Sequence, residues 1–159
     1  MPLALPNLRE MAEALGDEYY LLVRQHYYRG EIKVSQELAW FARDVSNLDE
    51  TSTLLLAADI LVTDFSSVAF DYAFLGRPMI FYVPDYEFYT RVEPRTYINL
   101  AEVAPGPLVS DTAGLVAAIQ RTDEDKATYS EAYKQFFDRY CAADNGHAGE
   151  MVVDRVWGT

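Results

Sequence analysis

The sequence is poor in the residues that most often announce a mechanism. Its single cysteine, Cys141, has no partner in the chain for a disulfide and no neighbour at a zinc-site spacing. A free cysteine is usually packed as a small hydrophobe, and that is the expectation here. The two histidines are His26 and His147. A Ser-His-Asp triad would have to draw on one of them, and no other feature of the sequence supports it. There is no Gly-rich dinucleotide fingerprint, no Walker-type phosphate loop, no Cys/His metal spacing and no Gly-x-Ser-x-Gly elbow. No metal and no cofactor are expected. Basic residues are also scarce: 13 Lys and Arg stand against 25 Asp and Glu, for a net charge of −12. Without a basic face, nucleic acid is not an expected partner. No apolar run reaches the roughly 18 residues that span a bilayer. The start turns charged at Arg9 and Glu10, without the pattern of a signal peptide. A soluble, cytosolic chain is expected.

What the chain does have is apolar mass. Half of its 159 residues are hydrophobic, enough for a real core in one domain spanning residues 1–159. The acidity is uneven. Residues 1–48 carry seven acids and five bases, and residues 49–159 carry eighteen and eight. On so acidic a body, the bases near expected loops (Arg24, Arg29, Arg77, Arg91 and Arg95) are candidates for a local anion site.

Periodicity alternates between helix and strand. Residues 6–15 read as a helix with Leu8, Met11, Ala12 and Leu15 on one face, ended by Gly16. Residues 19–23 are a continuous apolar run, as in a strand buried on both faces. Residues 40–45 are a weaker strand candidate. Residues 49–57 read as a helix capped by Asp49, with Leu54 and Leu55 buried. A short strand at 60–63, a helix at 66–75 ended by Gly76, and a buried strand at 79–83 follow. Residues 84–106, rich in Pro, Tyr and charge, read as a long loop, with 84–97 acting as a mobile lid. A last short strand at 108–109, a helix from Asp111 to Ile119, an amphipathic helix over 124–140 and a final helix over 148–156 complete the chain. Strands alternating with helices imply an α/β fold: a Rossmann-like three-layer domain with a mostly parallel sheet. In such a sheet, ligands bind beyond the carboxyl ends of the strands.

Three segments fall at that edge. The turn Asp64-Phe65-Ser66-Ser67 joins the 60–63 strand to the next helix. Unpaired N–H groups at a helix start attract phosphate, and two hydroxyls add donors without bulk. Equally, Asp64 or Ser66 can be an ordinary N-cap. Arg24-Gln25-His26 follows the first strand and brings a cation and an imidazole to the same edge; it can also be an incidental surface turn. The 84–106 loop offers Asp85, Tyr86, Tyr89, Arg91, Arg95 and Tyr97, with arginine suited to phosphate, or it is a solvated charged loop.

Taken together, the run Ala58-Asp59-Ile60-Leu61-Val62-Thr63-Asp64-Phe65-Ser66-Ser67-Val68-Ala69-Phe70-Asp71-Tyr72 resembles the signature of the CDP-glycerol glycerophosphotransferases, which make teichoic-acid-like polymers. Gly76-Arg77-Pro78-Met79-Ile80-Phe81-Tyr82, then Asp85 and Tyr89, continue in that family's order. Pro105-Gly106-Pro107 resembles its Pro-Gly-Pro turn, and Tyr140-Cys141 with Asp144-Asn145-Gly146-His147-Ala148 resembles its closing segment. Arg24-Gln25-His26 sits where the family has Arg-x-His. The likeness covers nearly all of residues 8–157. Two departures stand out: Thr96 replaces the family's Gly in the lid loop, and Tyr27 its proline after the histidine.

The resemblance implies that the chain is the C-terminal, nucleotide-binding half of a two-domain GT-B enzyme, with an N-terminal half outside it. It implies a donor, CDP-glycerol, an acceptor in a lipid-linked polymer, and a peripheral position at the inner face of the cell membrane. It implies His26 as a catalytic residue. Arg24, Ser66, Ser67 and Arg95 would hold the donor; Asp64 reads better as a structural cap. Asp71, inside an apolar helix, suits a structural hydrogen bond at least as well as a ligand contact. The rivals are a GT-B sugar transferase or epimerase, whose nucleotide turns favour Gly and Glu, and a non-catalytic nucleotide-binding module.

Overall fold

The computed structural model describes residues 5–25, 34–86 and 98–158. The first helix, α1 (Leu8–Leu15), is capped by Asn7, whose side chain accepts from the N–H groups of Arg9 and Glu10. Gly16 ends it. Strand β1 (Leu21–Val23) is two residues shorter than the apolar run, because the Tyr19 N–H still bonds back to Leu15 O at the helix end. It is also not buried on both faces. Leu21 packs into the core, but Leu22 on the opposite face is 39% exposed. A short 3-10 turn (Gln36–Leu38) leads to β2 (Ala42–Asp44), which pairs parallel with β1.

Helix α2 (Thr51–Ala57) starts after Glu50, not Asp49. Glu50 makes no cap bond; its carboxylate instead accepts from the Thr53 hydroxyl at 3.0 Å. Leu54 and Leu55 are half-buried. Strand β3 (Leu61–Thr63), helix α3 (Val68–Ala73) and strand β4 (Met79–Tyr82) follow. Gly76, at φ +63°, makes the left-handed turn between α3 and β4 that side chains disfavour. The 84–106 stretch is not all loop: its far part forms helix α4 (Leu100–Val103). The rest of the expected lid, residues 87–97, lies outside the described residues, as does the segment 26–33. Strand β5 (Leu108–Val109) then leads to α5 (Thr112–Gln120), which Asp111 caps by accepting from the Gly114 N–H at 2.7 Å. The helix expected over 124–140 is two helices, α6 (Thr122–Thr128) and α7 (Ser130–Tyr140), meeting at Tyr129. At the break the Ser130 hydroxyl takes the Ala127 carbonyl, a local bond that competes with the helical ladder. Helix α8 (Ala148–Trp157) buries none of its residues, and Met151, Val152, Val153, Val156 and Trp157 are exposed.

All strand pairings among the described residues are parallel, in two pieces: β1-β2 and β3-β4-β5. Both pieces belong to one layer. Phe41 and Ala42 beside β1-β2 share a core cluster with Ile80 and Tyr82 of β4. Strand β4 is central and buried along its length, as its apolar run predicts. Its alternate side chains serve opposite layers. Ile80 and Tyr82 meet Met11, Ala12 and Leu15 of α1 and Leu115, Ala118 and Ile119 of α5. Met79, Phe81 and Val83 meet Ala69, Tyr72 and Ala73 of α3, Leu100 of α4 and Phe136 of α7. The α/β, three-layer, parallel architecture expected from the sequence is the one observed. Cys141 is buried in this second cluster, its thiol donating to Phe70 O, and burial raises its pKa. It packs as a small hydrophobe.

Candidate functional site

The carboxyl ends of the strands carry the candidate residues. After β3, the chain bends through Asp64 and Phe65 and enters α3 at Ser67. Ser67, in αR geometry, occupies the N-cap position and makes no side-chain cap bond. The bond of capping type is made by Ser66, its Oγ accepting from the Val68 N–H at 3.4 Å. A hydroxyl spent so weakly remains a usable donor, and both Ser66 and Ser67 are exposed. Asp71 is exposed on α3, so burial imposes no need for a structural hydrogen bond there.

The loops after β1 and β2 are tied to each other at the same edge. Arg24 Nη1 donates to Leu48 O at 2.5 Å, the Gln25 N–H to Ser46 Oγ at 3.0 Å, and the Ser46 N–H to Asp44 Oδ1 at 2.8 Å. Arg24 is thus fixed beyond β1 with one N–H committed and a five-donor guanidinium to offer. His26, the next candidate, lies outside the described residues, and so does Arg95. Arg29 and Arg91 of the suggested anion cluster also fall outside them.

The loop after β4 leans on the β3 turn. Phe65 and Tyr86 stack with ring centres 6.0 Å apart and planes 18° from parallel. Tyr86 OH donates to Asn99 Oδ1 at 3.1 Å, and Asn99 Nδ2 donates to Glu102 Oε1 at 2.7 Å. Between them, Asp85 has a buried Oδ1 with no hydrogen-bond partner among the described residues. Sequence reasoning placed Asp85 in the candidate 84–106 loop and in the family's motif order, without assigning it a role.

Arg77 does not belong to this edge. It precedes β4, at the amino end of the strands, where Nη1 donates to Leu56 O at 2.8 Å and Ala58 O at 2.6 Å. Tyr72 OH donates to the same Ala58 carbonyl at 2.9 Å. Arg77 is a brace between α2 and the α3–β4 turn, not part of an anion site. A cavity of about 210 Å³ lies at this lower edge, lined by Arg77, Met79, Gly106, Lys126, Tyr129 and Tyr133 among others. The cavity and the candidate residues are therefore at opposite ends of the sheet. His147 is also remote from the strand ends in function: exposed, it precedes α8, with Nδ1 3.3 Å from Glu150 Oε2. Among the described residues, no three His, Cys, Asp or Glu side chains group so as to hold a metal ion. No helix among them is long and apolar enough to cross a membrane.

Comparison with known proteins bears on this geometry. The profile of the family described as CDP-glycerol:poly(glycerophosphate) glycerophosphotransferase matches residues 3–158. A teichoic acid poly(glycerol phosphate) polymerase of Staphylococcus epidermidis is 36% identical over 94% of the chain, which covers 21% of that protein. A protein of the same description from Bacillus spizizenii is 38% identical over 96% of the chain, here 38% of the relative. The solved structure of the wall teichoic acid polymerase TagF superposes with a TM-score of 0.84 at 36% identity, covering 94% of this chain and 36% of that one. The chain thus spans well under half the length of the relatives it matches.

Proposed function

The chain belongs to the CDP-glycerol:poly(glycerophosphate) glycerophosphotransferase family, and from that premise we propose that it is the donor-binding half of a glycerol-phosphate transferase. The family match over residues 3–158 is the observation that carries this reading. In the proposed reaction, a terminal hydroxyl of a lipid-linked polymer attacks the β-phosphorus of CDP-glycerol. A new P–O bond forms to the acceptor, the bond to the bridging oxygen breaks, and CMP leaves with that electron pair. The acceptor's proton goes to a base in an N-terminal half outside this chain. The chain is one GT-B-type domain over residues 1–159, and the complete enzyme works peripherally at the inner face of the membrane.

Within the domain, Ser66, Ser67 and the N–H groups behind them hold the diphosphate, and Asp64 shapes the turn. Arg24 and His26 face the leaving CMP, and Arg95 reaches in from the loop after β4. Asp71, exposed on α3, is a further candidate contact to the donor. Such transfer is driven by positioning and by stabilising charge on the phosphoryl oxygens. The chemistry needs no redox partner, and no cofactor besides the donor substrate is proposed.

The test is calorimetry together with radiolabelled glycerol-phosphate incorporation into a lipid-linked primer. The domain should bind CDP or CDP-glycerol more tightly than UDP. It should transfer nothing alone, while His26→Ala in the complete enzyme lowers turnover by ~10²–10⁴-fold, the usual range for a positioned acid–base group. Tighter binding of UDP-sugars, or a fully active His26→Ala enzyme, overturns the reading.

A further inference from the structure

Each strand from β2 to β5 ends in, or is followed within about three residues by, an aspartate: Asp44, Asp64, Asp85 and Asp111. Three of these have partners. Asp44 Oδ1 accepts from the Ser46 N–H at 2.8 Å, and Asp111 Oδ1 accepts from the Gly114 N–H at 2.7 Å. Asp64 has interactions within the domain as well. Asp85 is the exception, with a fully buried Oδ1 that meets no donor among the described residues. Native proteins rarely leave a buried polar oxygen unpaired, and such an atom calls for a missing partner.

The surroundings say where that partner would sit. The last ladder bond of β4 runs from the Val83 N–H to Val109 O at 2.8 Å, and the Tyr86 N–H turns back to Val83 O at 3.2 Å. Asp85 is thereby held inside a tight turn, at the edge where ligands bind in parallel sheets. The Phe65–Tyr86 stack clamps this turn onto the one that carries Ser66 and Ser67. Asn99, which accepts from the Tyr86 hydroxyl, donates its Nδ2 to Glu102. A carboxylate only accepts hydrogen bonds, so its partner must donate. Its charge repels phosphate, so that partner is a neutral part of the ligand. Two adjacent hydroxyls suit it best, because a carboxylate can take one O–H on each oxygen.

We propose that Asp85 binds polyol hydroxyls of the donor, either the ribose diol or the glycerol diol. The proposal rests on the reading that the strand ends hold a cytidine diphosphate donor. The experiment compares the complete wild-type enzyme with Asp85→Asn by calorimetry, using CDP, 2′,3′-dideoxy-CDP, CDP-glycerol and UDP. Asparagine keeps the shape and removes the charge. If the ribose is the partner, Asp85→Asn weakens CDP and UDP by about tenfold or more and leaves dideoxy-CDP unchanged. If the glycerol is the partner, only CDP-glycerol weakens. Either result supports the proposal. Equal loss for all four ligands, no loss for any, or a loss for CDP but not UDP (which would point to the cytosine amine) overturns it. If wild-type binds neither CDP nor CDP-glycerol, the reading of the site falls and the proposal falls with it.

A second measurement does not depend on ligand. A buried carboxylate oxygen without a donor costs the free protein stability, so Asp85→Asn should leave its melting temperature unchanged or raise it. A clear drop would mean that Asp85 serves a structural partner, and it would overturn the proposal even where binding is weakened.

Discussion

At the amino end of the strands, polar groups are used up on the main chain; at the carboxyl end, they face outward or wait. Arg77 and Tyr72 converge on the Ala58 carbonyl, and Tyr133 OH donates to Ala73 O at 3.2 Å. Gly106 lies so close to β4 that a Cβ on it would meet Met79 O at 1.8 Å. At the other end Ser66 and Ser67 are exposed, and Asp85 keeps a buried oxygen without a donor. Both edges hold residues of the family's signature. The difference shows that a shared motif mixes two kinds of constraint. On the proposed function, some residues keep the layers in register and others are held for the donor. Mutations should separate the two: changes at the lower edge should cost stability, and changes at the upper edge should cost affinity.

The largest effect is expected at Gly106. No rotamer relieves a Cβ that collides with a backbone carbonyl of the central strand. Gly106→Ala should destabilise by about 3 kcal/mol, the top of the overpacking range. For a domain of this size that is a fall of roughly 6–12 °C in melting temperature. A melt within 2 °C of wild-type would show that the Pro-Gly-Pro turn can move away from β4, and the lower edge would then not be the rigid one. Arg77→Ala comes next. It removes two charge-assisted bonds, to Leu56 O and Ala58 O. The expected cost is about 2 kcal/mol, since hydrogen bonds to charged groups contribute roughly 1.5–3 kcal/mol each and these are partly open to water. Nucleotide affinity, measured well below the melt, should not change. An affinity loss with no stability loss would move Arg77 to the binding edge.

How much of this contrast was legible in the sequence differs by residue. The buried run 79–83 announced the central strand, because a strand covered on both faces has no polar side to alternate. The turn around Ser66 was legible as the end of one strand and the start of a helix, and the family signature added the chemistry. The cap was not: Asp64, Ser66 and Ser67 all have capping side chains, and only the geometry shows that Ser66 accepts from the Val68 N–H while Ser67 makes no cap bond. Nor was the role of Arg77. Its sequence context, Gly76-Arg77-Pro78, is that of a loop cation, and the carbonyls it braces are about 20 residues away in the chain. The exposure of Asp71 was not legible either, because its helix is apolar by composition. The break at Tyr129 was missed because the aromatic spacing runs through it without a change of period.

The upper edge should respond in the opposite way. Replacing Ser66 and Ser67 together by Ala removes one weak bond, from the Val68 N–H to Ser66 Oγ at 3.4 Å. Stability should stay within about 0.5 kcal/mol, as for surface substitutions away from special features. CDP affinity should fall by about tenfold, which is ~1.4 kcal/mol, while the backbone N–H groups retain some binding. Calorimetry against CDP checks this. An unchanged affinity would leave the hydroxyls without a role and reduce the turn to an ordinary loop.

The smallest effect, and the finest test of the lower edge, is at Tyr72. The residue is fully buried, and burial together with the nearby Asp59 raises its pKa to about 12 despite the opposing influence of Arg77. Tyr133 is raised to about 12 as well, again chiefly by burial. A phenol that holds its proton more tightly when folded contributes stability that is fully present below its unfolded pKa of ~10. That contribution is lost as pH climbs from there through about 12. Tyr72→Phe removes the bond to Ala58 O but leaves Arg77 on the same carbonyl. It should therefore cost only about 1 kcal/mol at pH 8. Urea unfolding at pH 8 and again near pH 11 gives the decisive contrast. Wild-type should lose stability over that interval partly through Tyr72, whereas the Phe variant has no phenol there to ionise. The gap between them should narrow or vanish at the higher pH, with the remaining alkaline loss left to Tyr133, Tyr82 and Cys141. A gap of the same size at both values would mean that the Tyr72 hydroxyl titrates alike in the folded and unfolded chains. Its bond to Ala58 would then not be the sheltered one that the packing of α3 against β3 and β4 implies.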